Sequence, residues 1–474
     1  MATGGALLID QGSHASRACL ARADGGLTDP VSVEIAASRS ASDRCEHDPE
    51  EMVASVRGAV ADVLAGSRNE PLSAAGIATQ RSTIVCWDRK TGRALSPVIS
   101  WQDRRGAGWL ERLGPDPEEV RRITGLVPSP HYGASKLRWC LDHLPEVRRA
   151  RDEARLCMGP LSSFLLFRCL EERPFVVDPA NASRTLLWDF TRGDWSSVML
   201  EHFGIPGSCL PGCVASRYDF GTLESQGRTV PVQVCTGDQA AALFAFGEPR
   251  PDTAYVNMGT GAFVQRAVRG RPPEVPGLLQ SVAWQEEGRT TGVLEGTVNG
   301  AGSALEWLSE ASAVPQQTLL DSAEDWLAGA SRIPLFINGV GGLGAPFWKP
   351  ACPVQFVGAG DVAGQTVAVL ESIVFLLAAN LEVMRSVLGP ESRIVVSGGL
   401  ARLDGLCRRL ADVAAVPVER PAGTEATAAG LARLVTGRSL ATSQGGQAFE
   451  PGENAGLAAR YQRWREALSV ALSE

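Results

Sequence analysis

Two distant segments of this chain repeat one pattern, and the repetition limits what the chain can fold into. Ala6 to Asp10 reads as a buried strand, Gln11-Gly-Ser-His turns the chain, and Ser16 to Ala21 reads as the returning strand. Much later, Thr253 to Met258 reads as a strand, Gly259-Thr260-Gly261 as a tight turn, and Ala262 to Val268 as its return. Either hairpin alone is ordinary, because glycine-containing hairpin turns are common. Standing at the head of each half, the two predict a pair of related domains, 1–243 and 244–474. At 474 residues the chain exceeds the size at which one hydrophobic core stops growing. Each turn also sets several backbone N–H groups on one concave side, a geometry that takes phosphate oxygens.

Strands and helices alternate in both halves, which argues for α/β layers. In the first half, Pro49 to Ala65 reads as a helix opened by proline and two carboxylates. Ala74 to Thr79 and Thr83 to Asp88 read as strands, and Asn181 to Thr185 as loop. In the second half, helices are expected from Asn299 to Ala311, Gly364 to Leu388, Leu403 to Val413, Thr424 to Val435 and Glu453 to Leu472. Arg393 to Val396 reads as a strand that ends in the sharp turn Ser397-Gly398-Gly399.

Composition removes several function classes. The net charge is −8, which disfavours nucleic acid or an anionic membrane as partner. No uninterrupted apolar stretch reaches the length of a membrane span, and Met1-Ala-Thr-Gly-Gly carries no basic leader, so a cytoplasmic protein is expected. The 11 cysteines are odd in number and lack paired zinc-ligand spacing, so they read as reduced, mostly buried thiols. Of 45 cations only Lys90, Lys136 and Lys349 are lysines. None stands in a Gly-x-x-x-x-Gly-Lys-Ser/Thr loop, which excludes a P-loop enzyme and disfavours a protein kinase. If ATP is handled, backbone amides and a metal must hold its phosphates.

Near mid-chain the alternating strand Thr229 to Thr236 stops at Gly237-Asp238-Gln239, and an alanine-rich helix follows. Asp238 therefore stands at a strand-to-helix junction where two domains could meet. A carboxylate there can accept a proton from a substrate hydroxyl. It can equally serve as a helix N-cap, since aspartate favours that position.

A set of segments, in order, resembles the FGGY carbohydrate kinases, and within them the glycerol kinases. They include Ile9-Asp-Gln-Gly-Ser…Ser-Arg17, Thr79-Gln-Arg…Trp87-Asp-Arg…Thr-Gly92 and Trp101-Gln-Asp-Arg-Arg105. Further on come Asp178…Asn181-Ala-Ser-Arg-Thr185, Gly237-Asp-Gln239, Gly259-Thr-Gly…Phe263, Leu294-Glu-Gly…Trp307-Leu, Gly342-Leu-Gly-Ala-Pro-Phe-Trp348 and Ser397-Gly-Gly399. The resemblance implies an actin-like ATPase fold, α/β in class, with two ribonuclease-H-like domains closing on an interdomain cleft. It implies ATP and Mg2+ as cofactors, a small sugar or polyol as substrate, and admits a homodimer. Asp238 matches the catalytic base, and Asp10 the carboxylate near the metal, with Asp238 as its companion. Gly12, Ser13, His14 and Arg17 match the first phosphate turn, and Gly259, Thr260 and Gly261 the second. Gly398 and Gly399 match the adenosine loop, where a missing side chain lets a nucleotide approach the backbone. Gly302 and Glu306 match a helix start that contacts nucleotide. Arg81, Trp101, Asp238, Gln239 and Phe263 match positions that contact glycerol, with aromatic faces over carbon and a guanidinium and an amide on hydroxyls.

The pattern departs from those kinases at the substrate. Ser82 stands where they have a hydroxyl-binding glutamate, and His131 where they have a tyrosine. His14 replaces a small hydroxyl residue, Lys349 an acidic residue, and Leu403 a polar one near the adenine. A site that loses polar partners rejects the hydroxyls they served. Three readings remain open: a glycerol-kinase-like enzyme; a ketose kinase of the xylulose or ribulose type; and a catalytically weak pseudokinase that binds metabolite and nucleotide. A chaperone or an exopolyphosphatase on the same fold is a further reading, since fold alone does not fix function. The Trp101–Arg105 and Asn181–Thr185 segments speak against it.

Overall fold

A computed structural model of the chain describes residues 4–67, 70–423, 425–438 and 445–473. Met1, Ala2 and Thr3 of the supposed leader-free start, and Thr424 at the expected start of a helix, lie outside the described residues.

Two sheets carry the architecture. The first is built from β1 (Gly5–Gln11), β2 (Ala15–Ala21), β3 (Val31–Glu34), β4 (Leu72–Thr79), β5 (Arg217–Ser225) and β6 (Arg228–Gly237), in the order β5-β6-β4-β1-β2-β3. The second contains β7 (Thr253–Met258), β8 (Ala262–Arg269), β9 (Leu279–Glu286), β10 (Arg289–Val298), β11 (Arg393–Ser397), β12 (Val418–Pro421) and β13 (Gly446–Phe449), in the order β9-β10-β8-β7-β11-β12-β13. Their centres match. In the first, β1 pairs antiparallel with β2 and parallel with β4, which is parallel to β6. In the second, β7 pairs antiparallel with β8 and parallel with β11, which is parallel to β12. The repeated hairpins are thus the centres of two sheets of one design.

The helices read from the sequence form within a few residues of their expected ends. α1 (Pro49–Gly66) is capped by Asp48, whose Oδ1 accepts from the amides of Glu50 and Glu51. Asn181 proves to lie in a short helix, Pro179–Ala182, rather than in a loop, because Asp178 caps it by accepting the Ala180 and Asn181 amides. Further helices are α2 (Gly133–His143), α3 (Asp238–Ala242), α4 (Gly302–Ser312), α5 (Val362–Leu388) and α6 (Ala426–Thr436). α5 is long and apolar enough to cross a membrane by length and composition, yet 83% of its most apolar window is buried in the protein. A helix apolar all round is a core helix when protein surrounds it. Its one buried carboxylate, Glu371, is held by Arg409 at 3.1 Å and Arg460 at 2.6 Å. α6, although late in the chain, packs on α3, β1 and β4 of the first sheet. Leu431 and Val435 there join a core that also holds Tyr255 and Val395 of the second sheet. All 11 cysteines are free thiols, as expected from their number and spacing.

Candidate active site

The parallel strands decide where the chemistry-bearing residues meet. Gln11 pairs with Thr79, and Thr79 with Gly237, so β1, β4 and β6 end together. Asp10, Arg81 and Asp238 therefore gather at one carboxyl edge, where open α/β sheets bind ligands. In the second sheet Asn257 pairs with Ser397, and its Nδ2 donates to Ser397 Oγ at 3.0 Å. That brings the Gly259–Gly261 turn beside Gly398 and Gly399.

β6 runs extended through Gly237, with φ −84° and ψ 152°, so Gly237 occupies the cap position of α3. Asp238 is the first helical residue rather than the N-cap, and its Oδ1 accepts the Gln239 amide at 2.7 Å. A side chain at 237 would collide with Arg81, whose Cδ lies 2.5 Å from where a Cβ would stand. The missing side chain lets Arg81 cross the strand end and donate to Gln239 Oε1. Burial raises the Asp238 pKa, with Arg81 pulling the other way. Burial and the neighbouring Asp238 charge push Asp10 up to about 7. Asp10 Oδ1 is buried without a hydrogen-bond partner, and Oδ2 lies 3.8 Å from Arg17.

The two turns are prepared for anions. Gly12 N–H closes the first by donating to Ala15 O, and Gly259 N–H closes the second by donating to Gly261 O. The amides of Ser13, His14, Thr260 and Gly261 have no partner among the described residues. His14 is exposed. Ser13 Oγ accepts from the Trp101 indole N–H at 2.9 Å, tying the first turn to the Trp101 segment. The amides of Gly302 and Ser303, at the start of α4, donate to Gly259 O and Thr260 O, so this helix start buttresses the second turn. Glu306 is exposed on α4.

Gly398 and Gly399 are glycine for different reasons. Gly398 has φ 93°, and a Cβ there would stand 2.5 Å from Met258 O. A Cβ on Gly399 would meet nothing within 4 Å. Gly398→Ala is therefore expected to lower stability by about 1–3 kcal/mol, through backbone strain at φ 93° and the clash with Met258 O. Gly399→Ala is expected to leave stability unchanged and, at the adenosine loop that the resemblance implies, to raise the KM for ATP. Thermal melts and nucleotide titrations of the two variants check this; a Gly398→Ala protein as stable as wild type refutes the packing argument.

Trp101 and Phe263 are half-buried and belong to none of the hydrophobic cores, so both are available to a ligand. Gln239 is also half-buried. His131 Nδ1 lies 3.1 Å from Trp101 O, and burial lowers its pKa. Ser82 adopts φ 63° and donates its hydroxyl to Arg184 O at 3.2 Å. Behind these residues is a cluster centred on Arg184 and Glu295, which lie in the Asn181–Thr185 and Leu294–Gly296 segments and to which the sequence reading gave no role. Glu295 of β10 is fully buried. Its Oε1 accepts from Arg184 at 2.5 Å, and its Oε2 accepts from Gln265 at 2.7 Å and lies 3.5 Å from Arg81. Burial works to raise the Glu295 pKa, but Arg184 and Arg81 outweigh it and hold the carboxyl below its ordinary value. Arg184 also lies 5.6 Å from the centre of the buried Tyr132 ring. The signal was present: Glu295 interrupts an apolar strand, Val293-Leu294-Glu295-Gly296, where a charge needs a partner. By contrast, Asp103 and Arg105 of the Trp101 segment pair with each other at 2.7 Å and hold their loop.

Two sheets of one design, each closed by a glycine turn and one of them carrying carboxylates at its strand ends, have the plan of the actin-like ATPase fold. The comparisons with known proteins are more particular. Residues 6–245 match the N-terminal domain of the FGGY family of carbohydrate kinases, and residues 254–436 its C-terminal domain. A glycerol kinase of Methylobacterium nodulans is 36% identical over 90% of this chain and 88% of its own. One of Symbiobacterium thermophilum is 34% identical over 99% of both chains. Among solved structures, Plasmodium falciparum glycerol kinase with ADP superposes with a TM-score of 0.88 at 22% identity, over 99% of this chain and 98% of that one. Ligand-bound xylulose kinase of Lactobacillus acidophilus gives 0.82 at 19% identity, over 99% of each. The chain belongs to the FGGY family of carbohydrate kinases. It is accordingly an ATP-using phosphotransferase with an alcohol group as acceptor.

Proposed function

We propose that the chain phosphorylates a primary hydroxyl of a small polyol or sugar, with Asp238 as the base. The observation that carries this is the meeting of Asp238, Asp10 and Arg81 at one sheet edge. The acceptor oxygen attacks the γ-phosphorus of ATP, the bond to the β,γ-bridging oxygen breaks, and ADP leaves. The hydroxyl proton passes to Asp238, whose raised pKa suits a proton acceptor. Arg81 and Gln239, already bonded to each other, present donors to the acceptor's hydroxyls, while Trp101 and Phe263 cover its carbon chain. The unpartnered amides of both turns would take phosphate oxygens, and domain closure would exclude water. Arg17, Gly302, Glu306, Gly398 and Gly399 complete the nucleotide side in this reading.

The carboxylates also fit a divalent cation. Asp10 Oδ1 is an orphaned buried oxygen facing the charge of Asp238, and no cluster of three ligating side chains occurs among the described residues. Mg2+ is held in this way, by one or two carboxylates plus phosphates. Asp10 and Asp238 would hold it, and when bound it supplies charge neutralisation on the phosphates. A pH dependence follows. A carboxyl raised to about 7 contributes its stability below the ordinary value of 3.8 and loses it as pH climbs through 7. Asp10→Asn is expected to melt several degrees above wild type at pH 8, by less at pH 5, and close to it only below the ordinary value of 3.8. Adding Mg2+ with ADP is expected to narrow the gap at pH 8. Equal melting temperatures at pH 8 would remove Asp10 from this role.

The choice of acceptor turns on the changed contacts. Ser82 offers no carboxylate, and its hydroxyl is committed to Arg184 O. With these contacts changed, a ketose or a longer polyol stands level with glycerol as acceptor. Magnesium-dependent ADP release across a polyol and ketose panel tests the whole reading. Binding of sugar without turnover of any panel member would establish the pseudokinase alternative instead. We further place the domain division at 243/244 and the protein in the cytoplasm, where 11 free thiols persist. A homodimer is compatible with this reading.

A further inference from the structure

Lys136 is one of three lysines in a chain that otherwise uses arginine, and it is fully buried. It stands on the first turn of α2, where the helix dipole disfavours a cation. No carboxylate among the described residues bonds it. Instead its ammonium donates to Ser100 O at 2.7 Å, His131 O at 2.7 Å and Ser82 O at 3.1 Å. These carbonyls belong to three separate segments: the turn after β4, the residue before Trp101, and the loop before α2. We propose that Lys136 is the positioning residue of the acceptor pocket, its three N–H donors fixing the segments that present Ser82, Trp101 and His131 to the substrate.

Three donors meet three acceptors, so the ammonium is used completely. A planar guanidinium cannot converge three donors on one point, which accounts for lysine here. The bond to Ser82 O also braces a non-glycine residue at φ 63°, a conformation that needs outside support. The other two bonds act on linked groups. Trp101 N–H donates to Thr83 Oγ1 at 3.0 Å, and Trp101 O faces His131 Nδ1 at 3.1 Å. Movement at any one carbonyl is thereby felt by the others.

The strap is sensitive to protons. Burial pushes the Lys136 pKa down to about 7, with Asp103 acting in the opposite direction. The groups facing it are Asp103, Arg105, Cys45 and the His131 ring. Arg105 holds the Asp103 carboxyl below its ordinary value against the effect of burial, and burial favours the neutral form of the His131 ring. A neutral amine has two donors and a lone pair, and the lone pair would oppose a carbonyl.

This inference rests on the acceptor-pocket reading above, so one readout is chosen that needs no turnover. Hydrogen exchange of the ligand-free full chain is compared between wild type and Lys136→Met. Faster exchange is expected at 80–84, 99–103 and 128–132 together, with 253–268 unchanged. With the best acceptor of the panel, Lys136→Met is expected to raise the acceptor KM about 10- to 100-fold, the loss expected from charged hydrogen bonds. The KM for ATP and kcat should stay near wild type. Unchanged protection of the three segments overturns the proposal, as does a joint rise of both KM values. If the variant does not fold, wild type decides. An acceptor KM that climbs above pH 7 while the ATP KM stays level supports the strap, and a level acceptor KM refutes it. Absence of turnover with every acceptor would sink the kinase reading and leave the exchange result standing.

Discussion

Asp238→Asn is expected to lower kcat by about 10²- to 10⁴-fold, the range that a positioned general base supplies. The acceptor's affinity should change little. Asparagine keeps an oxygen for the Gln239 amide and the same volume in the pocket, so Arg81 and Gln239 retain their geometry. What it loses is the capacity to take a proton. A second consequence separates chemistry from folding. The Asp238 charge is one of the causes that raise Asp10, so its removal relieves a buried repulsion. The variant should therefore melt at or above the wild-type temperature while being nearly inactive. Calorimetric titration with the acceptor, single-turnover rates and a melting curve check the three statements. A near-normal rate would exclude Asp238 as the base.

The positions that could be read from the sequence are those governed by local order. The Gly12–Ser13 and Gly259–Gly261 turns announce themselves because a strand, a turn and a return are contiguous. Asp238 was legible as a strand-end residue for the same reason, although Gly237 takes the cap because β6 remains extended one residue longer than expected. What the pattern does not contain is which distant strand faces which. Glu295 meets Arg184 across 111 positions and Arg81 across the boundary between the halves. An apolar period gives a residue's face without naming what lies opposite. α6 is a second case. Its apolar face is plain in the sequence, but only the structure shows it covering the first sheet. There a Cβ on Gly430 would stand 1.8 Å from Ala241 O, so α6 and α3 touch backbone to backbone. The departures at Ser82 and His131 were visible as residues. Their meaning came from the bonds to Arg184 and Lys136.

Glu295→Gln is expected to produce the largest loss of stability, about 3–5 kcal/mol, because it leaves a buried pair of arginines without their anion. The carboxylate is fully buried and uses both oxygens, on Arg184, Gln265 and Arg81. An amide presents one donor face to groups that are themselves donors, so one bond becomes a repulsion. Arg184 suffers most, since its Nε and Nη1 already lack partners and the cation depends on Glu295 for its charge balance. The sign of the pH dependence is fixed by the carboxyl's depressed pKa. Its contribution is complete above the ordinary glutamate value of 4.5 and is lost as pH falls through the folded value. The gap between wild type and variant should thus be constant from pH 6 to 9 and close in acid. Because Glu295 and Gln265 come from the second half and both arginines from the first, the variant should also loosen the clamp between sheets. X-ray scattering would register this as a larger radius. Arg81 would lose its brace, so kcat/KM should fall together with stability, and Glu295→Asp should restore part of both by keeping the charge. Urea unfolding midpoints at several pH values, read as shifts of the main transition, measure the effect. A Glu295→Gln midpoint at neutral pH equal to wild type would mean that the arginines find another counter-charge, and the buried network would then not be what holds Arg81 in place.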